Sequence, residues 1–99
     1  MRTAIHPGEI LADELEELGV SAGELSRQID VPLRHLQQIL RGKRAISGEV
    51  ALRLGHWFQT SGQFWLNLQS AYELDRAAAL VGAQVEKLPT RAGAVVSSV

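Results

Sequence analysis

Residues 21–44 read SAGELSRQIDVPLRHLQQILRGKR, and this stretch decides the fold. Ser21 followed three residues later by Glu24 has the spacing of a capping box, in which hydroxyl and carboxylate satisfy reciprocal backbone donors. A helix is therefore predicted over Ala22–Ile29. The break Asp30-Val31-Pro32 interrupts it, and a second short helix is predicted from Leu33 to Arg41, closed by Gly42. Two short helices across a tight turn form the reading unit of helix-turn-helix proteins. At about 100° per residue, Leu36, Ile39 and Leu40 share the side that must pack on the domain. Arg34, Gln37, Gln38 and Arg41 fall on the opposite side, with His35 at one flank. Arg pairs bidentately with guanine and Gln with adenine, so this face suits base edges in the major groove. The plainer reading is a solvated helix face, since exposed faces are usually polar. The absence of any acid here, and the adjoining loop Arg41-Gly42-Lys43-Arg44, favour DNA. Arg34, Gln37 and Gln38 are thus candidate base readers. Arg41, Lys43 and Arg44, with Arg27 as a further candidate, would hold the phosphate backbone. Arg41 could equally complement the negative end of its own helix dipole.

Outward from this core the chain reads as all-α. A first helix is predicted over Pro7–Leu18, because Pro suits the first turn and Gly19 is a natural stop. A fourth follows Ser47 and runs to about Phe58. A fifth follows Ser61 and runs to Leu80 or Val81, with Gly82 ending it and Val85–Leu88 adding one more turn before Pro89. Residues 1–88 form one predicted domain. Residues 89–99 are small and weakly polar without a periodic apolar face, and are read as a disordered tail.

The 99 residues carry a net charge of −1, which looks unsuited to DNA until it is divided along the chain. Residues 1–24 hold one basic residue, Arg2, against six acids, whereas residues 27–53 hold six basic residues against two acids. Local charge, not the sum, determines attraction to phosphate. There is no Cys, which excludes disulfides and thiolate zinc sites. No apolar run is long enough for a signal peptide or membrane span, so a soluble cytoplasmic protein is expected. His6, His35 and His56 show no ligand spacing, and no nucleophile elbow or phosphate loop appears. No metal, cofactor or enzymatic activity is expected.

Glu14 falls among Ile10, Leu11, Leu15 and Leu18 on the apolar face of the first helix. A lone buried carboxylate is costly, so a structural ion pair with Arg53 is expected. Trp57, Phe58, Phe64, Trp65 and Tyr72 are the aromatics of the chain. Phe64, Trp65, Leu68 and Tyr72 follow helical spacing with no basic neighbour before Arg76, and are read as core packing plus a dimer surface rather than a base-stacking platform.

Three further motifs carry a family resemblance: His6-Pro-Gly-Glu-Ile-Leu11, Ala51-Leu-Arg-Leu54 and Phe64-Trp-Leu-Asn-Leu-Gln69. With Gly42-Lys-Arg44 after a helix-turn-helix, the chain resembles HigA-type antitoxins over about residues 5–88. The resemblance implies a five-helix repressor-like domain that dimerises, binds a palindromic operator in its own promoter, and neutralises a HigB-type ribonuclease toxin. Asp30 stands at a turn position often filled by Gly, Pro32 replaces a common Ser cap, and Ala22 stands where many relatives have a phosphate-binding Gln. Glu9, Asp13, Glu16 and Glu17 form the outer face of the first helix. They are read either as a solubilising surface or as a docking site for the basic toxin. The alternative function is a stand-alone helix-turn-helix transcriptional regulator without a toxin. A further rival is a pure protein-binding inhibitor that no longer reads DNA.

Overall fold

Four of the five helices begin where a side chain accepts a hydrogen bond from the first turn. In the computed structural model, which describes residues 4–92, these are α1 (Pro7–Leu18), α2 (Ala22–Ile29), α4 (Gly48–Phe58) and α5 (Gly62–Glu86). Their caps are His6, Ser21, Ser47 and Ser61, at 2.8, 3.1, 3.3 and 3.1 Å. Such caps typically stabilise a helix by about 1 kcal/mol. The remaining helix, α3 (Leu33–Leu40), starts after Pro32 and has no side-chain cap. Its short length and bare start leave it dependent on packing, which α1 and α2 supply.

The five helices form an all-α repressor-like fold, with no strand among the described residues. Leu11, Leu25, Leu36, Ile39 and Leu54 are fully buried and come from α1 to α4. Burial of each such side chain contributes about 1.5–3 kcal/mol. Gly8 makes the tightest approach: a Cβ there would lie 1.9 Å from the Ile39 carbonyl oxygen. Only Gly lets the start of α1 lie directly on the end of α3. Between α2 and α3 the chain turns at Asp30, which adopts the left-handed conformation with φ 58°. Asp tolerates that region better than most residues, so the missing Gly does not prevent the turn.

Three expectations need correction. α5 does not stop at Gly82 but continues to Glu86. A glycine ends a helix by turning left-handed, and Gly82 is not among the residues with positive φ. The residues on either side of Gly82 are compatible with helix, so it is simply absorbed at a cost of about 1 kcal/mol.

The pair Glu14–Arg53 does not form. The buried side of α1 is centred on Gly8, Leu11 and Leu15, which rotates Glu14 to the exposed rim. There Glu14 borders a hollow of about 150 Å³ with Ile10, Phe58 and Phe64, and needs no buried partner.

Trp65 is not a surface residue. It is 1% exposed and fills the space beside Phe58, with ring centroids 5.3 Å apart. Its indole N–H finds no acceptor among the described residues, so packing alone holds it. Leu68 packs against the same core, while Phe64 stays 44% exposed.

The exposed apolar surface lies further along, on the distal half of α5 and the turn that follows it. Leu74, Ala78, Val81, Val85 and Leu88 are all exposed and alternate at spacings of four and three residues. The predicted tail falls mostly on residues 93–99, outside the described residues.

Candidate nucleic-acid interface

Burial of Leu36 and Ile39 fixes the rotation of α3 and turns its other side outward. Arg34 is exposed there, Gln37 and Gln38 are half-exposed, and Arg41 follows as the C-cap residue. No acidic residue lies within α3. The predicted base readers and Arg41 are therefore brought to one surface.

After Arg41 the chain turns at Gly42, with φ 74°, and the Gly42 and Lys43 amides donate to the Ile39 and Gln38 carbonyls at 2.9 and 2.8 Å. These bonds fold the loop back on the end of α3, leaving Lys43 and Arg44 exposed beside it. Arg44 also reaches back, its Nη1 donating to Gln38 Oε1 at 2.9 Å. One predicted base reader and one predicted phosphate contact are thus tied together in the free protein. Arg27 is exposed on the last turn of α2.

His35 stands on the flank of α3 with its pKa lowered, first by burial and then by the positive charge of Arg44, against an opposing pull from Glu49. A neutral imidazole beside the interface follows from that balance.

The turn that orients α3 is held by a residue whose role the sequence reading misplaced. Arg53, from α4, donates through Nη1 to the Ile29 carbonyl at 2.9 Å, at the C-terminus of α2. Its Nη2 binds Glu49 Oε2 at 2.9 Å. The guanidinium thus satisfies an end carbonyl of α2 and fixes α2 against α4. Ser26 adds a second fastening through its hydroxyl to the Val31 carbonyl.

Two residues that sequence reading missed as supports of the site are Gly8 and Gln69. Gly8 seats α1 on the last turn of α3, and Gln69 Oε1 accepts from the Ile46 N–H at 2.8 Å just beyond the basic loop. Both lie within motifs quoted above, but neither spacing nor periodicity reveals a partner 31 or 23 positions away.

The acids Glu9, Asp13, Glu16 and Glu17 are all exposed, on the side of α1 opposite Leu11 and Leu15. No group of His, Cys, Asp or Glu among the described residues is arranged to hold a metal ion. None of the described helices is long and apolar enough to cross a membrane.

Comparison with known proteins follows the same outline. The helix-turn-helix family model HTH_3 matches residues 11–64. A HigA-family addiction module antidote protein from Coxiella burnetii is 45% identical, with a TM-score of 0.87 covering 91% of this chain and 98% of that one. The Pseudomonas aeruginosa antitoxin HigA, solved with the higBA promoter, is 46% identical, with a TM-score of 0.85 covering 90% and 98%. Virulence-associated protein I of Dichelobacter nodosus is 44% identical over 75 residues, which is 75% of this chain and 69% of that protein.

Proposed function

The chain belongs to the helix-turn-helix family, among its HigA antitoxins, and from that premise we propose that it represses its own operon and neutralises a HigB-type ribonuclease toxin. In this reading α3 of each subunit enters the major groove, where Arg34, Gln37 and Gln38 meet base edges. Arg41, Lys43 and Arg44, with Arg27, hold the flanking phosphates. The observation that carries the reading is the acid-free outer side of α3 running directly into an exposed basic loop. The Pseudomonas aeruginosa relative with its promoter supports it.

A single recognition helix covers too few base pairs for operator specificity, so the functional unit is a symmetric dimer reading half-sites about 34 Å apart. The exposed stripe Leu74, Ala78, Val81 and Val85 on α5 supports a second copy as its cover, because the spacing is that of a two-helix seam. Phe64, Leu68 and Tyr72 then lie near the start of that interface rather than at its centre, and Trp65 stays in the core.

The toxin is assigned to the acidic side of α1. Glu9, Asp13, Glu16 and Glu17 complement a basic ribonuclease and point away from the packed side of α1, so operator and toxin can be held together.

Two arms test the proposal. The protein should shift DNA from immediately upstream of its own gene, and its co-expression should rescue growth from a small basic ribonuclease encoded beside it. Asp13→Lys with Glu17→Lys should slow toxin association at low salt and weaken rescue while leaving operator binding intact. No shift on that DNA would overturn the repressor reading. Unchanged toxin association in the double variant would remove the docking site from α1.

A further inference from the structure

Two buried polar side chains meet the basic loop from behind. Gln69, on α5, is 6% exposed; its Oε1 accepts from the buried Ile46 N–H at 2.8 Å and its amide nitrogen donates to Glu73 Oε2 at 3.0 Å. His6 is buried equally, and its Nδ1 accepts from the Gly8 N–H at 2.8 Å. That bond leaves the ring proton on Nε2, and the nearby Arg44 backbone pulls the ring toward its protonated form. The imidazole also meets the Tyr72 ring edge-on at 4.8 Å, and a Cβ at Gly42 would lie 3.7 Å from its Cγ. Together with Lys43 and Arg44 these residues wall a hollow of about 200 Å³ between loop and α5.

Burying a glutamine and a histidine at such positions is unfavourable unless each is hydrogen-bonded. Packing alone would be served better by Leu or Met. What they supply instead is a fixed backbone position at Ile46, through Gln69, and a capped start of α1 whose His6 ring lies against the Gly42 end of the same segment.

We infer that His6 and Gln69 are positioning residues for the phosphate contacts, fastening the Gly42–Ile46 loop to α1 and α5 so that Lys43 and Arg44 stand in place before DNA arrives. This rests on the reading of that loop as a phosphate clamp. A loop ordered in advance loses less freedom on binding, so the fastening acts on affinity without touching DNA.

The arrangement also makes the clamp sensitive to acid. The groups facing His6 are Glu9 on α1, Lys43 and Arg44 in the loop, and Tyr72 and Glu73 on α5. Burial holds the imidazole below its usual range, against weaker opposing pulls from the Arg44 backbone and Glu9. The neutral ring is therefore the folded-state form. Its contribution is complete above about pH 6.5 and is lost as pH falls below that value through the depressed folded pKa. Protonated Nδ1 can no longer accept from Gly8.

The test compares His6→Asn, Gln69→Met and Lys43→Ala in the full chain. Asn retains an N-cap acceptor for α1 but lacks the ring that lies against the loop and Tyr72, and Met retains length and packing without an acceptor. In Gln69→Met the Ile46 amide should exchange hydrogen about tenfold faster. Both positioning variants should unfold cooperatively, bind the operator about tenfold more weakly, and show a salt slope reduced by about one to two. Wild-type affinity should fall more steeply than that of His6→Asn as pH is lowered below about 6.5, measured on the same DNA. A wild-type salt slope in Gln69→Met, while Lys43→Ala lowers it, would overturn the positioning role and leave the clamp standing. A salt slope unchanged in Lys43→Ala would overturn the clamp itself, and the inference with it. Should His6→Asn fail to fold, Gln69→Met decides both outcomes.

Discussion

The guanidinium of Arg53 bonds to the Ile29 carbonyl at 2.9 Å and to Glu49 through both Nε and Nη2, at 3.2 and 2.9 Å. Its side chain is 35% exposed, so the ion pair with Glu49 is screened and the bond to the end of α2 matters more. Arg53→Met keeps the stem and removes those bonds. It should lower unfolding stability by about 1–2 kcal/mol, read from urea titration with unchanged slope. Sequence reasoning singled out Arg53 as a structural partner because it flanks the apolar side of α4. The partner itself was not legible. Glu14 shares the i, i+4 register of α1's apolar residues, but only packing decides which part of a wide stripe faces inward. At the interface the residue types were legible, since an acid-free polar side needs only periodicity to be seen. The bond from Arg44 to Gln38 joins residues six apart across a turn, where periodicity gives no guide.

Among the elements, α1 to α4 follow from caps and breaks that act locally: His6, Ser21 and Ser47 accept bonds from the first turns of α1, α2 and α4, and Asp30 turns the chain. α5 is different. At 25 residues it spans about 37 Å, and most residues of its second half are exposed. Leu74 is 71% exposed and Leu80 70%. The sequence marks this as a helix but not its length, because a glycine within an apolar-rich helix reads like one that follows a helix. If the stripe through Val81 joins two copies, Val81→Asp places a carboxylate in the seam at each end of the two-fold. Sedimentation at micromolar concentration should show the wild type as a dimer and Val81→Asp as a monomer of near-equal helix content. A dimer that survives this substitution would move the interface off the distal half of α5.

At the scale of the whole molecule, charge is segregated by element. The acids of α1 lie opposite its packed side, while the basic residues gather on α3 and the loop after it. A net charge of −1 therefore describes neither surface. The three sequence motifs that mark the family converge on the support of one site: Gly8 seats α1 on α3, Arg53 fixes the turn, and Gln69 holds the loop. In the proposed function, α3 reads sequence while the loop supplies sequence-independent attraction. The most direct measurement is fluorescence anisotropy of Arg34→Ala and Lys43→Ala on operator and random DNA across a salt series. Arg34→Ala should weaken operator binding by about 1–3 kcal/mol while nearly sparing random DNA, and Lys43→Ala should weaken both and lower the salt slope by about one. Equal losses on both DNAs for both variants, with equal salt slopes, would contradict the division of roles on which the account rests.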